Sequence, residues 1–350
     1  MPVWWPFAVG GALLLSSILT PAFARLALNF GIVDVPTSGR KIHDHVIPFL
    51  GGVSVFLAFA LPTLVVLLVT DHLTAGEIDI KHFLGFFIGA LILLIGGVLD
   101  DKFDLPPRLS ILFPLLAALS AVMFGIGVEK ITNPLGGAIV LGSGVSISIT
   151  FVWLLGMTYT TKLLDGLDGL ASGITMVGAI MIALLALSHD YFQPDVALLA
   201  LVFAAALLGF LLWNAHPATI FLGEGGSTFL GFTLGVLAVI AGSKLATTLL
   251  VVGVPVLDVA FVIARRWWEG RPIARGDSTH LHHLLLSAGL SQGVILAIYV
   301  LVAVLFGATT LVFSSWQKLM ALGILILLSA TAVSLLYKKY HPVKYATESK

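Results

Sequence analysis

Residues 89–104 read GALILLIGGVLDDKFD, an apolar run that ends in two adjacent carboxylates, Asp100 and Asp101. An ionisable side chain at the centre of a membrane helix costs about 2.5–3.5 kcal/mol on insertion scales, so such residues mark a polar cavity or a functional site. The same placement recurs at three other apolar segments: LLDGLDGLASG (Asp165, Asp168), FLGEGGS (Glu224) and GDSTHLHHLL (Asp277, His280, His282, His283). Four polar clusters at the ends of apolar segments predict a membrane protein with a polar face.

The composition agrees with this prediction. The chain has 350 residues, of which 59% are hydrophobic and 10% charged, and its mean hydropathy is +1.08. A soluble single domain would have too few polar residues to cover such a surface. The formal net charge of zero gives no indication of a nucleic-acid partner, and the absence of cysteine excludes disulfides and thiolate metal sites.

A helix needs about 20 apolar residues to cross a bilayer. Runs of this kind predict an all-α polytopic membrane protein with about eleven transmembrane helices, near 6–28, 49–70, 82–99, 108–126, 146–164, 168–187, 195–213, 226–242, 246–265, 291–312 and 316–337. We expect residues 1–340 to form a single integral membrane domain and residues 341–350 a basic cytoplasmic tail.

The basic residues predict the orientation. With eleven spans, fourteen of the eighteen Lys and Arg residues fall on one side of the membrane, which the positive-inside rule makes cytoplasmic. The N-terminus is then outside and the C-terminus cytoplasmic. All four acidic clusters and seven of the ten histidines fall on the cytoplasmic side. This pattern predicts an enzyme whose cytoplasmic cleft meets a soluble substrate and a lipid from the bilayer.

Each motif also has a plainer interpretation. Asp100–Asp101 is also found at ordinary helix ends. On a helix, Asp165 and Asp168 would share one face and could hold Mg²⁺ with substrate phosphates, whereas a glycine-rich turn would explain the same residues. Gly225 and the glycine after it suit either phosphate binding at a helix start or close helix packing.

Two further segments carry candidate residues. The alternating His280-x-His282 spacing favours hydrogen bonding and charge toward phosphate over a helical zinc pair, which needs i, i+4 spacing. Pro255 should kink the ninth apolar segment, and Asp258 within it is expected to face the cavity.

Six motifs in order resemble the polyprenyl-phosphate N-acetylhexosamine-1-phosphate transferase superfamily, of the glycosyltransferase family 4 type. They are RKIHDHVIPFLGG, GVLDDKFDLPPR, LLDGLDGLASG, NAHPATIFLGEGGS, PVLD and DSTHLHHLLLSAG, between about Arg40 and Gly289. The histidine segment and VLDDKFDL are most similar to the UDP-GlcNAc:undecaprenyl-phosphate GlcNAc-1-phosphate transferases.

The resemblance implies a reaction and a set of roles. Polyprenyl phosphate attacks the β-phosphate of a UDP-N-acetylhexosamine, UMP leaves, and a polyprenyl-diphospho-sugar remains in the cytoplasmic (inner) membrane. Asp100 and Asp101 are implied as catalytic residues, and Glu224 with Asp101 as Mg²⁺ ligands. A homodimer is also implied. The residues implied to bind substrate are Lys41, His43, Arg108, Asp165, Asp168, Asn214, Asp277, His280, His282 and His283.

The two main departures from the family pattern are at Lys162 and Glu224. Lys162 stands where the family has Asn, three residues before the first Asp of the DGxDG motif, and Glu224 stands where it has Asp. The longer Glu224 side chain is expected to reach Lys162 and form an ion pair. Either the ammonium takes over part of the metal's role, or Mg²⁺ moves toward Asp100, Asp101 and Asp165; a third interpretation is lost activity.

Other function classes fit less well. A MurNAc-pentapeptide-phosphate transferase belongs to the same superfamily and stays open as an alternative. A CDP-alcohol phosphatidyltransferase signature needs an Ala-Arg and a later Asp-x-x-x-Asp; after Asp168 the chain continues with Leu170-Ala171-Ser172-Gly173 and has no such pair of aspartates. A secondary transporter would place ionisable groups at the bilayer midplane in repeated halves; here they gather at the ends of segments.

Overall fold

The computed structural model describes residues 2–36, 45–133, 137–242, 245–270 and 279–340. The α-helices within these ranges are α1 Trp5–Phe30, α2 Gly51–Val69, α3 Ile80–Phe103, α4 Pro107–Ser110, α5 Leu112–Met123, α6 Ser143–Leu164, α7 Leu170–Ala186, α8 Pro194–Asn214, α9 Gly223–Ile240, α10 Leu245–Val251, α11 Gly253–Trp268, α12 Leu281–Ser287, α13 Gln292–Val312 and α14 Ser315–Tyr340. Short strands form two antiparallel pairs, β1 Val33–Asp34 with β2 Ile47–Pro48 and β3 Lys130–Thr132 with β4 Ala138–Val140.

The helices confirm an all-α, multi-pass membrane architecture. Eight helices of the described chain are long and apolar enough to cross a membrane: α1, α2, α3, α6, α8, α9, α13 and α14. A ninth span is present if α10 and α11, which meet at a bend of 82°, are counted together. The other two predicted segments correspond to the shorter apolar helices Pro107–Met123 and Leu170–Ala186. Length and composition therefore support eight or nine spans, and the number eleven stays a prediction.

The bend between α10 and α11 lies close to the proline that was expected to cause one. Pro255 has no N–H to donate to the carbonyl of Val251, four residues earlier, so a continuous helix would lose a hydrogen bond there. The helix is interrupted at Val252, which lies between α10 and α11. The predicted kink is confirmed, three residues before the proline.

Helices α8 and α9 form the centre of the bundle. Within their most apolar windows, 72% of the residues of α8 and 89% of those of α9 are buried, against 17% for α1 and 22% for α14. The rings of Phe203 on α8 and Phe229 on α9 meet edge to face, with centroids 6.0 Å apart. The outer helices keep apolar side chains exposed, as expected for surfaces that face lipid.

Glycines allow α9 to cross α2 and α3 at very short range. A Cβ atom on Gly97 of α3 would lie 1.9 Å from the backbone nitrogen of Gly225, and one on Gly52 of α2 would lie 2.1 Å from the Cα atom of Gly226. Contacts this short are available only to glycine. The Gly225–Gly226 pair therefore serves helix packing, the plainer of its two interpretations, and it fixes the start of α9 against the end of α3.

The helices bring their polar ends together. The chain leaves α3, α6 and α8 and enters α9 at one end of the bundle, where residues from these four helix ends and from the turn before α7 line a common cavity. The β1–β2 pair lies beside it, because the carbonyl of Pro48 accepts the N–H of Phe221, just before α9. The clustering of the acidic motifs at one end of the bundle follows directly from this arrangement.

Candidate active site

A polar cavity of about 480 Å³ lies at this end of the bundle. Its volume is in the range typical of small-molecule sites. Its described titratable lining residues are Asp34, His45, Asp101, Lys162, Asp165, Asp168, His216, Glu224 and His283.

The cavity collects only part of the predicted site. The predicted residues that line it are Asp101, Asp165, Asp168, Asn214, Glu224 and His283. Those that are described but are not part of its lining are Asp100, Arg108, His280 and His282. The remaining three, Lys41, His43 and Asp277, lie outside the described residues.

The two adjacent aspartates have different partners. Both carboxylate oxygens of Asp101 accept the backbone N–H of Glu224, at 3.0 and 3.1 Å, so Asp101 caps the start of α9. The carboxylate of Asp100 instead accepts the N–H of Leu105, at 3.1 Å, in the turn that follows α3. Asp101 is therefore held at the cavity wall, and Asp100 stabilises the end of its own helix.

Asp165 and Asp168 lie in a turn between α6 and α7, so the expectation that they share a helix face is wrong. The turn closes at Gly169, whose φ of +73° suits glycine. Burial, together with the nearby carboxylates of Asp101, Glu224 and Asp168, raises the pKa of Asp165 to about 8. The glycine-rich turn still presents both carboxylates to the cavity.

Asp168 and Asn214 tie the cavity wall to the segment before α9. The Asp168 Oδ2 atom lies 2.8 Å from His216 Nδ1 and accepts the N–H of Ala218 at 3.1 Å. Asn214 is buried; its Oδ1 accepts the hydroxyl of Ser172 at 2.8 Å, and its Nδ2 donates to the carbonyl of Ile220 at 3.0 Å. Asn214 thus has a structural role at the edge of the cavity.

Lys162 and Glu224 form an ion pair across α6 and α9, which confirms the prediction made from their side-chain lengths. The two helices can approach because a Cβ atom on Gly231, two turns beyond Glu224, would lie 2.1 Å from Thr161 Oγ1. The ammonium also lies 5.8 Å from the centre of the Tyr159 ring, one turn back on α6. Packing of the two helices therefore fixes an ammonium at the cavity wall.

His280, the N-cap of α12, and His282, within α12, lie on the side of the DGLDG turn away from the cavity lining. The carboxylate of Asp258 lies 2.8 Å from His280 Nδ1 and accepts the N–H of Leu281 at 2.8 Å. Asp258 is buried in this contact and is not part of the cavity lining, so the expectation that it faces the cavity is wrong. His282 packs against Gly166, where a Cβ atom would lie 2.5 Å from its Nε2.

The environment of His282 keeps it neutral. Burial lowers its pKa well below the usual range, and His283 and His280 lower it further. Its Nδ1 is buried without a hydrogen-bond partner among the described residues. Of the three histidines, His283 alone lines the cavity.

The lining residues that the motifs did not single out include Asp34, His45, His216 and Gln292. His216 stands two residues after Asn214 in the quoted NAHPATIFLGEGGS motif, so a signal was available. Gln292, whose Oε1 lies 3.4 Å from the N–H of Asp168, starts α13 about 120 residues away and had no local signal.

Comparisons with known proteins agree with the motifs. A model of glycosyl transferase family 4 matches residues 83–242. A probable undecaprenyl-phosphate N-acetylglucosaminyl 1-phosphate transferase of Bacillus subtilis is 33% identical over 95% of this chain and 92% of its own length. A decaprenyl-phosphate N-acetylglucosaminephosphotransferase of Mycolicibacterium smegmatis is 31% identical over 87% of this chain and 81% of its own. The chain therefore belongs to glycosyl transferase family 4, the superfamily of membrane sugar-phosphate transferases that its six motifs predicted.

Proposed function

We propose that the protein transfers GlcNAc-1-phosphate from UDP-GlcNAc to polyprenyl phosphate. A phosphate oxygen of the lipid attacks the β-phosphorus of the nucleotide sugar, the bond between that phosphorus and the oxygen bridging to the α-phosphate breaks, and UMP leaves with the bridging oxygen. The polar cavity at the ends of apolar helices carries this proposal, since there a soluble nucleotide can meet a lipid phosphate. The names of the relatives support GlcNAc over MurNAc-pentapeptide as the sugar.

The residues of the cavity suit distinct parts of this reaction. Asp101, held by the N–H of Glu224, orients the lipid phosphate and takes its remaining proton, which has a pKa near 6 in phosphate monoesters. Asp165 and Asp168 line the nucleotide side. His283 and the Asp168–His216 pair offer imidazole nitrogens to phosphate or sugar oxygens. Asp100, Arg108, His280 and His282 act from outside the cavity lining, and Lys41, His43 and Asp277 are proposed as further substrate contacts.

The magnesium ion implied by the resemblance does not fit the side chains at Glu224. Mg²⁺ takes oxygen ligands in octahedral geometry, and the Glu224 carboxylate, which the family pattern would offer to the metal, instead pairs with the Lys162 ammonium. In the described parts of the chain, no group of three or more acidic or histidine side chains is placed to hold a metal. Two unit positive charges about 4 Å apart repel by roughly 4 kcal/mol at an effective dielectric of 20.

The membrane arrangement completes the proposal. We place the cavity on the cytoplasmic face of the cytoplasmic membrane, with eleven membrane-embedded segments, the N-terminus outside and the C-terminus inside. The bias of fourteen of eighteen basic residues to one side supports this orientation. Residues 1–340 form the transferase domain and 341–350 a basic tail, and the enzyme assembles as a homodimer.

The proposal is tested with purified protein in detergent, undecaprenyl phosphate and a panel of UDP-sugars. We expect UMP release matched by a lipid-diphospho-sugar product with UDP-GlcNAc. Asp101→Asn should lower turnover about 100-fold, because it removes the base. Asp104→Asn, at an exposed carboxylate after α3, is the matched control and should leave turnover unchanged. Absence of a lipid product with every UDP-sugar, from folded protein, would refute the proposed reaction.

A further inference from the structure

The described lining of the cavity is rich in carboxylates. It contains five acidic residues, Asp34, Asp101, Asp165, Asp168 and Glu224, and one lysine, Lys162. The proposed reaction brings a diphosphate and a phosphate monoester to these side chains, so the site must supply positive charge to bind them and to stabilise the transition state. Among the described lining residues, Lys162 is the side chain with a permanent positive charge.

The position of Lys162 is built into the fold. It lies in the last turn of α6 and Glu224 in the first turn of α9, so each charge is at the helix end that favours it. The α6–α9 contact continues at Gly235, whose carbonyl accepts the indole N–H of Trp153 at 3.0 Å. Helix packing thus fixes the ammonium before any ligand binds.

The pair is also open to the cavity. The side chains of Lys162 and Glu224 are 29% and 20% exposed, so a ligand can reach the ammonium without displacing the helices. An ammonium has three donors. One can stay on Glu224 while the others turn to phosphate oxygens, so Glu224 positions the cation and the substrate shares it.

We propose that the Lys162 ammonium, positioned by Glu224, is the resident cation of this site and replaces a bound divalent metal in neutralising the diphosphate. This inference rests on the proposed transfer reaction. It predicts an enzyme whose substrate binding and turnover do not depend on Mg²⁺, and in which the cation cannot be removed by a chelator.

The first test needs no variant. Turnover of the wild-type protein with UDP-GlcNAc and undecaprenyl phosphate is measured in Mg²⁺ and in EDTA, and we expect the two rates to agree within about two-fold, because the cation is covalently part of the chain. Turnover that is lost in EDTA and restored by Mg²⁺ would leave the transfer reaction standing and overturn the lysine inference. Absence of turnover in both would overturn the proposed function.

The second test measures binding rather than activity. The affinity for UDP-GlcNAc in EDTA is measured by calorimetry, and Lys162→Gln should weaken it by about ten-fold or more, since the phosphates lose a charged partner. Lys162→Arg keeps the charge and should retain most of the affinity. Lys102→Gln, at an exposed lysine in the last turn of α3, is the matched control and should bind as the wild type does. Equal affinity of Lys162→Gln and wild type would overturn the inference even if turnover were absent.

A third measurement restores the residues that the family pattern has at positions 162 and 224. The double variant Lys162→Asn/Glu224→Asp removes the ammonium and leaves an amide and a shorter carboxylate as oxygen ligands. We expect it to bind Mn²⁺, detected by electron paramagnetic resonance, and to lose turnover in EDTA, whereas the wild type does neither. Mn²⁺ binding to the wild type at an equal or higher affinity would contradict the inference.

Discussion

Two pairs that each join a basic side chain to a carboxylate lie near the cavity in different surroundings. Lys162–Glu224 joins α6 to α9, and its side chains remain 29% and 20% exposed toward the cavity. His280–Asp258 joins α12 to α11, and its side chains are only 7% and 5% exposed. A partly exposed pair can share its charge with a substrate, whereas a buried pair has its hydrogen bonds satisfied within the protein.

The difference in exposure suggests that the buried pair stabilises the fold and the exposed pair supports activity, a distinction that the motifs alone do not make. The carboxylate of Asp258 accepts the N–H of Leu281 as well as contacting His280, so it holds the N-terminus of α12. Through α12, His282 packs on Gly166 in the turn that carries Asp165. We therefore expect substitutions in the buried pair to lower stability and substitutions in the exposed pair to lower activity.

The largest effect on stability is expected for Asp258→Ala. It leaves the N–H of Leu281 and a ring nitrogen of His280 without their partner in a buried place, and the free energy of unfolding should fall by about 3 kcal/mol. Thermal unfolding in detergent measures the loss. Asp258→Asn keeps an acceptor for the N–H of Leu281 and should lose less. Unchanged unfolding of Asp258→Ala would show that this pair does not hold α12.

In contrast to Asp258→Ala, Glu224→Gln should lower activity and leave stability nearly unchanged. The free energy of unfolding should change by less than about 1 kcal/mol, because partly exposed ion pairs contribute little to stability. Turnover should fall by about ten-fold, mainly through a higher KM for UDP-GlcNAc, because the ammonium is held less firmly. Steady-state kinetics and thermal unfolding of the same sample check both. If Glu224→Gln destabilised the protein as much as Asp258→Ala, the two pairs would not differ in the way proposed.

The fold was largely predictable because membrane helices are specified by long apolar runs. Each predicted run contains a helix, and the bend before Pro255 followed from its missing N–H. The number of membrane-spanning helices was less predictable. The helix at Leu170–Ala186 is short because the DGLDG segment before it is a turn, and hydropathy cannot distinguish such a helix from a full span.

The candidate site was predictable where a motif is local and less so where it depends on packing. Asp101 and Glu224 came from their own motifs, and their side-chain lengths predicted the pair with Lys162. By contrast, Asp258 was expected in the cavity because it is ionisable and lies in an apolar segment, and the sequence could not show that His280 would cover it. Pairing between distant segments decides which acidic residue faces the cavity.

Asp165 lies in the turn against which His282 packs, and its pKa of about 8 gives the stability of the protein a pH dependence. Between its ordinary value of 3.8 and about 8, the folded protein holds a proton that the unfolded chain releases, so this group makes stability fall as pH rises through that window. Asp165→Asn removes the titration. The variant should match the wild type near pH 4 and be the more stable protein near pH 9, in unfolding measured without substrate. Parallel stability curves would contradict the raised pKa.

The smallest effect is expected at a third pair, His216–Asp168, whose histidine is more exposed than any side chain of the other two pairs. The side chains of His216 and Asp168 are 48% and 15% exposed, and their atoms approach to 2.8 Å. His216→Ala should change the free energy of unfolding by less than about 0.5 kcal/mol, since exposed pairs contribute little. Asp168 keeps the N–H of Ala218 as a donor, so the cavity wall should stay in place. We expect KM for UDP-GlcNAc to rise about three-fold with kcat unchanged, which would mean that His216 contributes only to ground-state binding. A fall in kcat as large as that of Asp101→Asn would instead make His216 part of the catalytic machinery, and exposure would then be a poor guide to the role of a pair in this cavity.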